Sequence, residues 1–454
     1  MTKTLFGTDG IRGVANRYPM TAEIALNVGR AVAKHFKGQS RRVDRQSIVL
    51  IGKDTRRSSY MIEQALAAGV MSQGAFALLV GPMPTPGVAF LTQSMRADAG
   101  IMVSASHNSY EYNGIKLFGF DGFKLDDSIE ARIEKLVLDN EPETSLPIGD
   151  GLGRAKRIDD AMGRYVVHAK STFPSSLDLA GMRVVLDTAN GAAYKFAPIV
   201  FEELGAEIFQ IGNTPNGINI NSEVGALYPE LVQDSLHRFR ADIGIALDGD
   251  ADRAILVDEK GAVVDGDQIL ALLALDLKER GALKNDTLVV TQMSNLGLDL
   301  ALKAHGIKIA RCDVGDRAVM ETMKAAGSNL GGEQSGHIVL GDSSTTGDGT
   351  VAALAVLSVM LRKEKPLSEL RKIVQPLPQL LRNIRVKDKK DLNQLSETQK
   401  ALKSVEQSLS GKGRVLLRYS GTEPLCRIML EGENEVALNS MADDLEAALK
   451  KDLS

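Results

Sequence analysis

The run IGIALDGDADRAILVD, residues 243–258, places Asp248, Asp250 and Asp252 at alternate positions between two β-rich apolar stretches. In a straight strand, residues two apart are separated by about 6.6 Å, whereas oxygens bound to one Mg²⁺ lie about 2.1 Å from the metal. The segment must therefore curl, and Gly249 and Ala251 leave room for it to do so. Three carboxylates drawn together repel unless a cation sits among them, so a divalent metal with hard oxygen ligands is the economical reading. A solvated acidic turn is the plainer alternative, disfavoured by the apolar flanks. A calcium EF-hand does not fit. Glu259 falls at the twelfth position from Asp248, but Arg253 stands where that loop needs glycine, and no helical pattern flanks the run.

Three further loops carry reactive or hydrogen-bonding groups. In AGIMVSASHNSYEYNGIKLF, residues 99–118, an apolar strand ends at Val103 and delivers Ser104, Ser106, His107 and Asn108 into a turn-forming run. A serine there is a candidate nucleophile or phosphate carrier, with His107 and Lys116 as nearby proton or charge partners. The plainer role is a capping hydroxyl, and spacing alone does not choose between Ser104 and Ser106. In LGGEQSGHIVL, residues 330–340, Glu333, Ser335 and His337 stand on a backbone made compact by Gly331, Gly332 and Gly336. Carboxylate and hydroxyl at alternate positions suit a polyol, although Gly-rich turns with a Glu are common and His337 also fits a structural role. In LLRYSGTEPLCRIML, residues 416–430, Arg418, Ser420, Thr422 and Arg427 join the N–H groups of a Gly421 turn in a phosphate cradle built of donors. The same stretch reads as a helix start capped around Thr422, Glu423 and Pro424; the readings are compatible, since a helix N-terminus attracts anions. Together the loops supply a phosphorylatable hydroxyl, a metal cage, a polyol reader and a phosphate clamp, the parts for moving a phosphoryl group on a phosphosugar. No Gly-rich loop ends in Lys-Ser or Lys-Thr, which argues against a nucleoside triphosphate as donor.

Strands and helices must hold these loops. One pattern recurs at Ser47, Arg183 and Thr287: a β-branched run, a polar loop, a helix-length stretch, then a small residue and a second apolar run near Phe76, Ala206 and Gly306. This reads as three strand–helix–strand units. Within residues 61–74, Met61, Ala65, Leu66 and Gly69 share one face, and Ser58 or Ser59 is placed to cap the start. Three related α/β domains account for the repeats better than one large sheet, because long insertions separate the copies. Breaks fall at residues 141–154 and at Lys363–Pro366 with Pro376 and Pro378. Beyond Leu380 come a charged helix candidate at 391–408, strand-like runs at 415–418 and 426–430, and a closing amphipathic helix at 435–450, a small α+β domain on a proline-restricted hinge. The expected domain limits are 1–150 with the serine loop, 151–252 with the metal loop, 253–372 with the sugar loop and 373–454 with the phosphate loop.

Composition narrows the partners. At 454 residues the chain has room for several domains. Lys plus Arg number 54 and Asp plus Glu 58, a net charge of −4, so no positive excess is available to neutralise a nucleic acid. The longest apolar run, Val351–Leu361, is about half of what a membrane span needs, and the first ten residues have no apolar signal core. Cys312 and Cys426 make no disulfide framework and have no metal-ligand spacing, which points to a reducing cytoplasm.

These motifs resemble those of the α-D-phosphohexomutases. That family carries a serine loop like Ser104-Ala105-Ser106-His107-Asn108, a metal loop like Asp248-Gly249-Asp250-Ala251-Asp252-Arg253, a sugar loop like Gly332-Glu333-Gln334-Ser335-Gly336-His337 and a phosphate loop like Arg418 to Pro424. Their order and separations match over essentially the whole chain, as does the opening Phe6-Gly7-Thr8-Asp9-Gly10-Ile11-Arg12-Gly13. That opening, the stretch Thr345-Thr346-Gly347-Asp348-Gly349 and the Ser-Gly-Thr-Glu-Pro phosphate loop are most similar to the bacterial branch that acts on glucosamine phosphate. Ser109 stands where the family often has Pro, and Tyr419 where Lys or Pro is expected, a departure that bears on substrate preference.

The resemblance implies three related α/β domains with mixed sheets around a central cleft, plus a smaller, mobile α+β C-terminal domain. It implies a cytoplasmic isomerase that interconverts glucosamine 6-phosphate and glucosamine 1-phosphate on the route to UDP-N-acetylglucosamine and the cell wall. A phosphoserine, a 1,6-bisphosphate intermediate, Mg²⁺ and a priming sugar 1,6-bisphosphate belong to that reaction. By the same resemblance Ser106 carries the phosphate and completes the metal sphere of Asp248, Asp250 and Asp252. Arg253 lies beside the transferring group; Arg12, Lys116 and His337, with His107 next to the serine, are candidates for charge stabilisation or proton transfer. Glu333, Ser335 and Gly336 hold the sugar, and Arg418, Ser420, Gly421, Thr422 and Arg427 grip the phosphate that is not reacting. The expected partner is a small phosphosugar, with neither nucleic acid nor membrane, and the assembly a monomer or homodimer. Alternatives are a glucose or mannose phosphate substrate, an aspartyl phosphotransferase with Asp248 as nucleophile, and a catalytically silent phosphosugar sensor.

Overall fold

Each of the three sequence repeats folds in the same way. The β-branched runs become strands Ile48–Lys53, Arg183–Asp187 and Thr287–Thr291, almost wholly buried, as continuous apolar runs covered on both faces should be. Each is paired in parallel with the strand that ends its strand–helix–strand unit, Phe76–Pro82, Glu207–Ile211 or Lys308–Cys312. On its other side runs a further parallel strand, Ala99–Val103, Ile243–Leu247 or Leu330–Gly332. That strand turns back each time into an antiparallel partner, Tyr112–Gly119, Ala254–Asp258 or Ile338–Leu340. The three turns so formed are the serine, metal and sugar loops, so all three sit at the carboxyl ends of parallel strands, where open α/β sheets place their ligands. A smaller signature also repeats. At the end of each central strand a side-chain oxygen accepts the backbone N–H two residues on: Asp54 from Arg56 (2.9 Å), Asp187 from Ala189 (2.8 Å) and Thr291 from Met293 (3.3 Å).

The computed structural model describes residues 5–7, 9–37, 46–139, 146–386, 388–409, 411–419 and 425–453. Its strands form separate sheets of seven, five, four and three strands, not one large sheet. Two sheets run past the expected domain limits, because backbone pairing decides membership: Ala155–Arg157 pairs in parallel with Phe76–Pro82 in the first, and Val263–Val264 closes the second against Ala254–Asp258. Part of the break expected at 141–154 lies outside the described residues.

The chain divides into two compact units, one up to Met293 with Ile307–Lys372, the other Ser294–Gly306 with the chain from Ile373 on. In the second unit, Gln379–Arg385 and Arg414–Tyr419 flank Leu425–Glu431 in an antiparallel sheet, against which helices Ser396–Leu409 and Glu435–Leu453 pack a core of Val405, Ile428, Leu430, Leu438 and Leu445. The helix expected from 391 starts at Ser396 instead. Asp391 caps its own short turn by accepting from Asn393 N–H, while Asp452 accepts from Thr398 N–H and Oγ1 (both 2.8 Å) at the helix start. The segment Ser294–Gly306 is tied in by Asn295, which exchanges hydrogen bonds with the backbone of Leu377.

In the first domain, helices Ala22–Phe36 and Arg57–Ser72 cover the sheet. The cap expected at Ser58 or Ser59 is not made. The helix begins one residue earlier, and both hydroxyls instead accept from Asn113 Nδ2, while Ser59 donates to Asp54. The two helices cross through reciprocal glycines: a Cβ on Gly29 would lie 2.3 Å from the Leu66 carbonyl oxygen, and one on Gly69 would lie 2.1 Å from that of Leu26. Gly69→Ala should therefore force the helices apart and cost about 2 kcal/mol, read as a lower urea midpoint with an unchanged far-UV spectrum. An unchanged midpoint would show that the crossing has slack.

Candidate active site

The two hydroxyls of the serine loop have different partners. Ser104 Oγ is buried and occupied: it accepts Ser106 N–H at 3.0 Å and faces Arg56 Nη1 at 3.4 Å. Ser106 Oγ instead donates to Asp248 Oδ2 at 2.7 Å. Ser106 has φ of +50°, the left-handed region that costs a serine about 1–2 kcal/mol, so the turn is held by its surroundings and not by its own preference. His107 Nδ1 lies 3.5 Å from Ser106 Oγ, and burial together with Arg253 and Arg12 pushes its pKa down to about 4.

The metal loop curls as its spacing requires, with Ala251 at φ +56°. Oxygens of Asp248, Asp250 and Asp252 come within 4.8 Å of one another, all three residues buried. Burial first, then Asp252 and Asp250, hold the Asp248 carboxyl well above its ordinary range. Oδ1 of Asp250 and Oδ1 of Asp252 are buried without a hydrogen-bond partner. Two orphaned oxygens in a hard, all-carboxylate donor set are what a divalent cation would satisfy, so these residues fit a metal.

Cationic side chains ring the acids. Lys116 Nζ lies 2.9 Å from Asp250, 3.3 Å from Asp252 and 3.3 Å from Asp9. Burial would lower its pKa, but those carboxylates raise it well above the usual lysine range. Arg12 pairs with Asp9 and reaches Asn108 Oδ1 at 3.4 Å. Arg253 donates its backbone N–H to Asp248 at 3.3 Å, and its Nε lies 3.7 Å from Asp252. Thr85, at the start of helix Thr85–Ser94, donates both its N–H and its hydroxyl to Asp250.

The sugar loop meets the metal loop through backbone. Gly336 O accepts from Ala254 N–H at 3.0 Å, and a Cβ on Gly336, whose φ is +89°, would collide with the Ala254 carbonyl. Glu333 is buried; its Oε2 accepts from Ser335 Oγ at 3.0 Å and its Oε1 from Gly315 N–H at 3.0 Å. His337 Nε2 accepts from Gly347 N–H at 3.2 Å, and Nδ1 lies 3.8 Å from Asp252, which raises the imidazole pKa against the effect of burial.

Thus Arg12, Ser106, His107, Lys116, the three aspartates, Arg253 and His337 converge, with Glu333, Ser335 and Gly336 on the adjoining loop. In the second unit, Arg418 and Arg427 are register partners on neighbouring strands. Ser420, Gly421 and Thr422 lie outside the described residues. The sequence reading missed Arg56, Thr85 and Asn221, which touch the serine and metal loops. The one signal available was Asp54-Thr55-Arg56 directly after a central strand.

Models for phosphoglucomutase/phosphomannomutase α/β/α domains I, II and III and for the C-terminal domain match residues 3–144, 163–261, 265–377 and 381–448. The chain belongs to the phosphoglucomutase/phosphomannomutase family. Membership makes it an enzyme of the phosphohexomutase type, and the buried aspartate trio fits a metal-dependent one. Curated relatives include the phosphoglucosamine mutases of Pelobacter propionicus, 55% identical over 99% of both chains, and of Bdellovibrio bacteriovorus, 52% identical over 99% of both. Among solved structures, a phosphoglucomutase/phosphomannomutase family protein of Burkholderia thailandensis matches with a TM-score of 0.80 at 24% identity, covering 99% of this chain and 97% of that one. The Aspergillus fumigatus N-acetylphosphoglucosamine mutase, solved with GlcNAc-6P and magnesium, matches with 0.68 at 18% identity over 99% and 96%. At such identities the likeness is one of fold.

Asp250→Asn keeps the shape of the loop, relieves like-charge crowding and takes one carboxylate from the trio that fits a metal. Turnover should fall on the order of a hundredfold or more, with the metal-free unfolding midpoint level or higher. Added Mg²⁺ should raise that midpoint in the wild type and not in the variant. An equal shift in both would remove Asp250 from the metal site.

Proposed function

We propose that this chain interconverts glucosamine 6-phosphate and glucosamine 1-phosphate, with Ser106 as the phosphoryl carrier and the 1,6-bisphosphate as intermediate. The observation that carries this reading is a serine hydroxyl 2.7 Å from a buried aspartate trio, in a chain that shares more than half its residues, end to end, with proteins named phosphoglucosamine mutase. In the first step the phosphorus–oxygen bond to Ser106 breaks as a new one forms to the free sugar hydroxyl, whose proton passes through the site to the departing serine oxygen. The bisphosphate turns end for end. The reverse exchange then returns its other phosphoryl group to Ser106 and frees the isomer.

In this scheme Arg12, Lys116, Arg253, His107 and His337 balance charge and move the proton, while Glu333, Ser335 and Gly336 hold the sugar. Arg418 and Arg427, with Ser420, Gly421 and Thr422, hold the distal phosphate and must accept it from either end of the sugar. Asp248, Asp250 and Asp252, with the serine phosphate, would hold Mg²⁺, which supplies positive charge to the phosphoryl oxygens. A sugar 1,6-bisphosphate loads the serine. No described helix is long and apolar enough to cross a membrane. The proposed setting is a cytoplasmic enzyme, monomer or homodimer, that feeds UDP-N-acetylglucosamine synthesis.

The test pairs mass spectrometry with assay. Protein treated with glucose 1,6-bisphosphate should gain one phosphoryl mass on the peptide around His107, stable to hydroxylamine, and Ser106→Ala should gain none and lose isomerisation. A hydroxylamine-labile adduct on the Asp248 peptide would favour the aspartyl phosphotransferase instead. Parallel assays of the 6-phosphates of glucosamine, glucose and mannose should rank glucosamine first; another order would correct the substrate.

A further inference from the structure

The serine turn is gripped from two domains by side chains that the reaction scheme does not use. The carbonyl oxygen of Ser106 accepts from Arg56 Nη2 at 3.1 Å and from Asn221 Nδ2 at 2.8 Å. The carbonyl oxygen of Asn108 accepts from the same two nitrogens, at 2.5 and 2.9 Å. Arg56 is fully buried, paired with Asp54 at the end of the central strand of the first domain. Asn221 comes from the second domain and stands on its own left-handed turn at φ +56°. Between them they fix the peptide groups that follow Ser106 and Asn108, and so the direction in which Ser106 points.

The clamp also spans a boundary. Asn221 belongs to the same domain as Asp248, the residue Ser106 Oγ faces. Gly249 presses on the same carbonyl from that side, since a Cβ there would lie 2.6 Å from Ser106 O. Only if the second domain is seated against the first do Asn221 and Gly249 reach the serine turn. We propose that Arg56 and Asn221 are positioning residues for the nucleophile, holding Ser106 in its left-handed turn and setting its distance from the metal loop across the domain boundary. This rests on the reading of Ser106 as phosphoryl carrier.

The test compares wild type, Asn221→Gly, Arg56→Lys and the double variant. Asn221→Gly keeps a residue at ease with positive φ and deletes both amide donors; Arg56→Lys keeps the charge beside Asp54 and loses the fork. Two quantities are read: the single-turnover rate of phosphoryl loading from glucose 1,6-bisphosphate, by intact mass, and kcat and KM for glucosamine 6-phosphate. Each single variant should load and turn over roughly ten- to a hundredfold more slowly, with KM within about twofold of wild type, because a misplaced nucleophile slows chemistry without touching the sugar. The double variant should lose less than the product of the two, since both act on one turn. Should Arg56→Lys not fold, Asn221→Gly decides alone. Loading at the wild-type rate in folded Asn221→Gly, or a raised KM with kcat unchanged, overturns the clamp. No loading in the wild-type protein overturns the reading of Ser106 and the clamp with it.

Discussion

Three carboxylates forced together out of water are the constraint around which this molecule is arranged. With oxygens of Asp248, Asp250 and Asp252 inside 4.8 Å, each pair repels by roughly 3–4 kcal/mol at an effective dielectric of about 20. The sum approaches the whole stability of an ordinary domain, about 5–15 kcal/mol. Lys116 offsets part of it by touching Asp250 and Asp252, and Arg253 contributes along the edge. Two orphaned oxygens remain. Those two oxygens, on Asp250 and Asp252, mark where the trio would take up a cation.

Strand topology decides where the loops lie. A parallel strand followed by an antiparallel return leaves a tight turn at the carboxyl end of the sheet, with free backbone groups and a direction fixed by buried strands. The chain has used that turn three times, once for the serine, once for the aspartates and once for Glu333 and His337. One architecture thus presents the serine, the aspartate trio and the Glu333–His337 loop as variants of a single position.

Much of this is legible in the sequence because it is local. The central strands announce themselves as β-branched runs, and the alternation of Asp248, Asp250 and Asp252 demands a curl that Ala251 and Gly249 provide. What is not legible is which loops meet. Ser104 and Ser106 are equivalent as letters, and only the fold shows one hydroxyl spent on the backbone and the other facing Asp248. The cap expected at Ser58 or Ser59 failed for the same reason, since Asn113, far along the chain, claims both hydroxyls. The expected domain limits missed Ala155–Arg157 and Ala254–Asp258 because composition marks breaks, whereas pairing partners decide sheet membership.

Arg56 and Asn221 illustrate the deeper limit on reading residues singly. Neither is a nucleophile, a metal ligand or a sugar-binding group, and an arginine after a strand or an asparagine in a loop has many ordinary uses. Their importance comes from two carbonyl oxygens that happen to lie side by side in a strained turn, and backbone oxygens leave no trace in a sequence. A positive φ at Ser106 is uphill for that residue, so its persistence requires donors on the far side of the turn; the fold recruits one from each of two domains. The left-handed serine turn, the crowded acids and the seam between the first two α/β domains are thus one arrangement, since Asn221 and Gly249 reach that turn from the domain that carries the aspartates.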